Sequence, residues 1–414
     1  MMKTVVLDDD PTGTQSASGV TVLLEFDADL IRDALSRADS VYVQTNSRAI
    51  DEAAAVSLVS DVRDAARQAA AELGEDVQFV LRGDSTLRGH VFAETEQFLD
   101  EDSVIVFCPA FPAGGRTTLD GVHRVRIGDR DLPAHETEYA EDPVFPFSSG
   151  VLVDYVAEKS GRVAVPVDLA TVRLGGAAPV ITAAPAGSVV LPDALDDDDI
   201  RRIAEAITTA RAAGRSVVVR SAAPLAAALA GVESDGLLPR PLVPAPVPTL
   251  LACGSHTAGA TAQLDAVART YRAPVVIPTD DAFVDPVAAG LAAAGRARAQ
   301  LADTGLAIVS TERHRRPEHN TLRHGELVMQ ALTVAVRDLV PDVEAVVAKG
   351  GITSAELART GVGASRAAVR GQVIPGVSVW DLVSAEGDPR LYVVVPGNVG
   401  DAAALTDVLA ALGR

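Results

Sequence analysis

Short apolar runs that break off into polar, glycine-bearing clusters constrain this chain more than any other feature. Residues 4–7 lead into Asp8-Asp9-Asp10-Pro11-Thr12-Gly13, and residues 41–44 into Thr45-Asn46-Ser47-Arg48 ahead of an alanine-rich helical stretch ending near Leu73. Residues 77–81 lead into Arg82-Gly83-Asp84-Ser85-Thr86, and residues 103–108 into Pro109-Ala110-Phe111-Pro112-Ala113-Gly114-Gly115-Arg116. Continuous apolar runs are strands buried on both faces, and strands that alternate with helices pair in parallel. The expected fold class is therefore α/β, with largely parallel sheets covered by helices. Such sheets bind ligands outside the carboxyl ends of their strands, where all four clusters fall.

A length of 414 residues exceeds what one ordinary core organises. Prolines at 239, 241, 244, 246 and 248 mark a semi-rigid linker. Beyond it the alternation resumes. Residues 250–253 lead into Gly254-Ser255-His256-Thr257 and a helix to about Tyr271. Strands are expected at 275–277, 306–309, 343–348 and 391–395, the last ending in Pro396-Gly397-Asn398-Val399-Gly400. The expected organisation is a first domain over 1–236, a linker over 237–248 and a second domain over 249–414.

Hydrophobic residues make up 48% of the chain and charged residues 22%, the balance of a folded globular protein. No apolar run approaches the ~18 residues a membrane span needs. The acidic cluster at Asp8 comes too early for a signal peptide, so a cytoplasmic protein is expected. A net charge of −20 argues against nucleic acid or an anionic membrane as partner. The sequence leaves room for a homo-oligomer. Cys108 and Cys253 sit in apolar runs and read as buried reduced thiols. The acidic run Asp196–Asp199 reads as a solvated helix start.

In the first domain, carboxylates (Asp8, Asp9, Asp10, Asp84) accompany guanidinium groups (Arg48, Arg82, Arg88, Arg116). Arginine's planar fork matches a carboxylate, and an aspartate can orient a hydroxyl and accept its proton. Together they describe a pocket for a small hydroxy acid. The second domain offers glycine turns at Gly254, at Gly350-Gly351 and at Gly397–Gly400. Glycine admits an anion close to the backbone, and free N–H groups at a helix start attract phosphate. Three such turns suggest a nucleotide. Thr353 and Glu356 stand at capping-box spacing. Lys349, one of only three lysines, is read either as lying near the phosphates or as exposed.

Asp8-Asp9-Asp10-Pro11-Thr12 also fits the D-x-D-x-T loop of haloacid-dehalogenase-like phosphatases, with Asp8 as nucleophile and Asp10 as acid/base. That reading leaves the three glycine turns unused. A sugar-acid sensor without turnover is the non-enzyme alternative. There is no P-loop and no protein-kinase signature. No metal ligand set is assigned. His123 and His135 lie in loop-like sequence, and His314, His319 and His324 flank a charged segment without zinc spacing.

These motifs, with Arg82–Gly89, Glu136-Thr137-Glu138-Tyr139-Ala140, Asp142-Pro143 and Arg220-Ser221-Ala222-Ala223, resemble the four-carbon acid sugar kinase family along nearly the whole chain. The resemblance implies an N-terminal domain that binds an aldonic acid such as threonate, erythronate or a 3-oxo-tetronate. It implies a C-terminal domain that binds ATP, with Mg2+, and an active site in the cleft between the domains. Carried over by motif, Asp9, Thr12, Gly13, Arg48, Arg82, Gly83, Ser85 and Thr86 would bind the acid, with Asp10 or Asp84 as base. Arg48 and Arg82 would hold the substrate carboxylate. Ser255, Thr257, Lys349, Gly350, Gly351, Thr353, Gly397, Asn398 and Gly400 would bind ATP. The chain departs from the family pattern at Gly350-Gly351-Ile352-Thr353, where other members read Gly-Gly-Asp-Thr. It also departs in the opening loop, where many members place an aromatic or aliphatic residue before Thr-Gly.

Overall fold

The computed structural model describes residues 2–234, 236–313, 321–384, 389–397 and 399–414. The chain forms two units, Met1–Glu233 and Ser234–Arg414. In the first, β1 (Met2–Asp8), β3 (Ser40–Gln44), β4 (Asp76–Arg82) and β5 (Val104–Cys108) are the four apolar runs of the sequence, and β2 (Thr21–Leu23) is a further short strand. A three-stranded antiparallel meander follows, β6 (Arg116–Leu119), β7 (Val122–Ile127) and β8 (Arg130–Pro133). Then come β9 (Ala164–Val167), β10 (Val189–Pro192) and β11 (Val217–Ser221).

The main strands run in the order β2-β3-β1-β4-β11-β5-β10-β9, and every pairing among them is parallel. Burial deepens toward the carboxyl ends. Met2 at the start of β1 is exposed whereas Thr4 to Asp8 are buried, and β4 is buried only over its last three residues. The helix Glu52–Leu73 shows why the intervening segments coil. Asp51 caps it by accepting from Ala54 N, Gly74 ends it at φ 68°, and Ala55, Val59, Val62, Ala66 and Ala69 line its buried face. That face packs on Val5, Leu7, Val41, Val43 and Leu81 of the sheet. Farther along the same face of the sheet Phe92, Phe107, Tyr155, Val189 and Leu191 form a second core.

In the second unit β12 (Thr249–Cys253), β13 (Val275–Ile277), β14 (Leu306–Thr311) and β15 (Ala345–Lys349) are joined by β16 (Ala364–Ile374), β17 (Val377–Ser384) and β18 (Arg390–Val395). Their order is β13-β14-β12-β15-β18-β17-β16, parallel as far as β18 and antiparallel through β17 and β16. Among the described residues no helix is long and apolar enough to cross a membrane. Cys108 and Cys253 are free and buried.

Several expectations need correction. His123 lies on β7 inside the meander, not in a loop. The proline-rich stretch packs against the core of the second unit through Leu238, Leu242, Val243 and Val247, and Leu242 N donates to Ala411 O at 2.8 Å. Asp196 caps the helix Asp197–Ala212 as expected, but Asp199 is buried and paired with Arg173 rather than solvated.

Leu251 sits fully buried on β12, flanked by β14 and β15. Leu251→Ala should destabilise by about 3 kcal/mol through lost burial and the cavity left behind. A lower urea midpoint at unchanged slope would show it.

Candidate active site

Parallel pairing of β1 with β4 sets Asp8 opposite Arg82, and pairing with β3 sets it opposite Gln44. The polar clusters of three strands are thereby gathered at one place. Asp9 N donates to Arg82 O at 3.2 Å, and Thr45 N donates to Asp8 O at 2.9 Å. The chain then closes into the short turn Pro11–Ser16, capped by Asp10, whose Oδ1 accepts from Thr12 N at 2.8 Å. A Cβ on Gly13 would collide with both carboxylate oxygens of Asp8. Only glycine lets this turn lie over the aspartate.

Arg82 is 2% exposed and commits its guanidinium inward. Nη1 reaches Asp10 Oδ1 at 2.8 Å, Asp8 Oδ1 at 3.1 Å and Asp9 Oδ1 at 3.4 Å, while Nη2 donates to Thr12 Oγ1 at 2.9 Å. Arg48 touches the Asp10 carboxylate, with Nε 3.5 Å from Asp9 Oδ1 and Nη1 3.6 Å from Asp84 Oδ1. Arg88 Nε donates to Asp84 Oδ2 at 2.8 Å, and its Nη1 lies 3.5 Å from Asp142 Oδ2. Its guanidinium also stacks 5.0 Å from the Tyr139 ring centroid. Arg220 completes the set, pairing with Glu94 and lying 3.3 Å from Asp9 Oδ2. Arg116 bonds Gly114 O.

Charge and depth are graded. Asp8, Asp9 and Asp10 are buried, whereas the Arg48 side chain is 11% and the Arg88 side chain 21% exposed. Burial pushes the Asp8 carboxyl up to about 7 despite Arg82, with Asp9 adding to the rise. Burial likewise raises Asp9 above the usual carboxylate range. Burial acts on Asp84 in the same direction, but Arg88 and Arg48, with hydrogen bonds from Arg88 and Thr86, overcome it and hold that carboxyl well below its ordinary value. One oxygen from each of Asp8, Asp9 and Asp10 lies within 4.8 Å of the others, the spacing of a metal ligand set. The Arg82 guanidinium already occupies the centre of that set, so these residues do not fit a divalent cation as they stand.

In the second unit the three glycine turns converge. Register sets Cys253 opposite Lys349 and Lys349 opposite Val395, so the turns after β12, β15 and β18 emerge side by side. A Cβ on Gly254 would strike Thr353 Oγ1, and one on Gly397 would stand 2.8 Å from Ser255 Oγ. Thr257 caps the helix Ala258–Thr270 and donates to Gly397 O at 2.7 Å. Gly350 itself occupies the cap position of the helix Gly351–Glu356 with no side-chain bond. Thr353 therefore lies inside that helix, and the capping box with Glu356 does not form. Lys349 is not exposed: its Nζ donates to Pro396 O at 2.6 Å, and burial lowers it to about 8. Gly400 adopts φ 84°, but the final helix Ala404–Ala411 starts four residues later, so this turn does not open it directly. Asn398, His314 and His319 lie outside the described residues.

Sequence reasoning missed several groups. The motif Arg220–Ala223 is part of the family resemblance but carried no role for Arg220, which sits at the end of an apolar run much as Arg82 does. Arg313 Nη2 donates to Ser255 O and lies 3.3 Å from Thr261 Oγ1. Gln263 Nε2 bridges the carbonyls of Val399, Gly400 and Asp401 at 2.9–3.2 Å. Glu94 and Gln263 reach these places from mid-helix positions that no local pattern marks.

Residues 4–229 match the family described as a sugar-binding N-terminal domain, and residues 250–405 the one described as a nucleotide-binding C-terminal domain. The chain is 32% identical to a D-erythronate kinase of Heliobacterium modesticaldum over 69% of this chain and 65% of that one. It is 36% identical to a D-threonate kinase of Bordetella bronchiseptica over 49% and 47% of the two chains. These two matches thus span under two thirds and about half of the relatives' lengths. A D-threonate kinase of Salmonella typhimurium is 27% identical over 99% of this chain and 98% of its own. A solved Haemophilus influenzae structure carrying the DUF1537 family designation superposes with a TM-score of 0.62 at 18% identity, covering 99% of each chain. It shows a shared fold.

Asp8 gives this site a pH signature. Folded Asp8 binds its proton more tightly than the unfolded chain, whose ordinary value is 3.8. Its favourable contribution is complete below that value and drains away as pH rises through about 7. Asp8→Asn removes the titration. Relative to this variant, the wild type should lose urea resistance between about pH 4 and 7 and no more above that, as parallel denaturation curves would show.

Proposed function

This chain belongs to the four-carbon acid sugar kinase family, and from that premise we propose that it transfers the terminal phosphoryl group of ATP to the terminal hydroxyl of a small, four-carbon sugar acid. One observation carries the reading. In the unit that matches a sugar-binding domain, Asp84 is flanked by Arg48 and Arg88, and those two arginines reach solvent. A hydroxy acid needs that combination, cationic forks for its carboxylate and an anion for its hydroxyl.

Arg82 spends its donors on Asp8, Asp10 and Thr12, so in this reading it is a buried counter-charge that keeps the aspartates in place. Arg48 and Arg88 hold the substrate carboxylate. Asp84 stays ionised and orients the hydroxyl. Asp10, whose carboxylate touches the partly exposed Arg48, is the base in this reading. Asp9, Thr12, Gly13, Gly83, Ser85 and Thr86 shape the acid pocket. The magnesium complex of ATP is the second substrate, received by Ser255, Thr257, Gly350, Gly351, Thr353, Gly397, Asn398 and Gly400. Lys349 ties β15 to the turn after β18. Ile352 in the second glycine turn is 40% exposed and offers no ligand. Phosphoryl transfer depends mostly on positioning and electrostatics, which these groups supply. The phosphatase alternative would need Asp8 as nucleophile, yet both its oxygens are covered by Gly13 and one is held by Arg82.

With ATP and magnesium, ADP release across a panel of four-carbon aldonic and oxo-acids should identify a substrate. Asp10→Asn should then lower kcat by about 10²–10⁴-fold with ATP affinity nearly intact. Near-normal turnover in both Asp10→Asn and Asp84→Asn would refute the assignment. Acid binding without ADP release would favour the sensor.

A further inference from the structure

The segment after β4 carries Asp84, Ser85, Thr86 and Arg88, yet its backbone is not one the chain adopts readily. Leu87 has φ 69°, a left-handed conformation unfavourable for any residue with a Cβ, and Gly89 has φ 119°. Two buried donors from distant elements grip its carbonyls. Tyr155, on the helix Leu152–Ser160, donates its hydroxyl to Leu87 O at 2.7 Å. His123, on β7, places Nε2 2.8 Å from Ser85 O and Nδ1 3.0 Å from Thr118 Oγ1. A carbonyl can only accept, so Nε2 carries the proton and Nδ1 accepts from the threonine hydroxyl. Burial lowers His123 to about 4, which keeps this neutral form across the physiological range.

Both donors are themselves fixed. The Tyr155 ring stacks on Phe107 with centroids 5.9 Å apart at 21° and meets Phe147 edge-on. Thr118 and His123 face each other across β6 and β7, and Thr118 N donates to Ala194 O at 2.9 Å. Neither donor touches the charged array itself.

We propose that His123 and Tyr155 are positioning residues, a pair of buried donors that hold the 83–89 segment in its strained shape and so place Asp84, Thr86 and Arg88 for the sugar acid. The effect on turnover rests on the function proposed above; the effect on the segment does not. Tyr155→Phe removes one hydroxyl and keeps the aromatic packing. His123→Phe removes the donor, and His123→Gln restores an N–H that can reach Ser85 O.

Amide hydrogen exchange and steady-state kinetics test this together. In Tyr155→Phe and His123→Phe, amides 84–88 should exchange about tenfold faster while β1 and β4 are unchanged, as expected for loss of one hydrogen bond. The KM for the acid should rise about tenfold with the KM for ATP unchanged. His123→Gln should recover most of both effects. Unchanged exchange at 84–88 in either variant lacking the donor would overturn the proposal, as would strand amides accelerating in step with the segment. If the wild type releases no ADP with any acid, the functional reading fails, and the exchange data still decide the positioning role.

Discussion

The buried guanidinium of Arg82 is the contact on which the first unit's site depends. Parallel register brings it opposite Asp8, and from there it reaches Asp9 and Asp10 as well. Carboxylates this deep survive only when paired, and removing one partner of such a set costs about 3–5 kcal/mol because the others are left uncompensated. The turn at Pro11–Ser16 inherits its shape from this arrangement, since Thr12 also binds Arg82 and Gly13 must lie against Asp8. Arg48 and Asp84 are added on the outer side, so the array is built from the inside outward.

That layering separates two jobs that look identical in sequence. Arg82 and Arg88 are both arginines of one short motif, but one is sealed in and the other reaches solvent beside Tyr139. Asp8 and Asp84 diverge in the same way. Depth raises the first, whereas two partly exposed arginines hold the second down. The same residue type is thus sealed in or left facing solvent according to how many neighbours it already satisfies.

Strands β1, β3, β4 and β5, and β12–β15 and β18, were legible because a strand buried on both faces leaves a continuous apolar run, whereas the short β2, β9, β10 and β11 were not marked. The meander β6–β8 was not legible. Its strands are short, alternate in burial and carry charges, so Arg116 to Pro133 reads as loop. β16 and β17 escaped for a related reason: alanine and glycine dilute the alternation over Ala364–Ile374. The convergence of the glycine turns followed from their strand ends, but the spacing of Thr353 and Glu356 misled, because the helix starts at Gly350 and leaves the threonine inside. Glu94, Tyr155 and Gln263 take their roles from tertiary packing, which no window of sequence contains.

Lys349 has a practical bearing beyond the turn it ties. The chain has three lysines, of which Lys3 and Lys159 lie in the first unit and retain some solvent contact, while Lys349 is sealed beneath carbonyl oxygens. Amine-directed reagents, whether fluorophores, cross-linkers or surface-coupling chemistries, would therefore mark the two lysines of the first unit and leave the single lysine of the second untouched. A probe attached this way would report on the first unit from a site the second does not share.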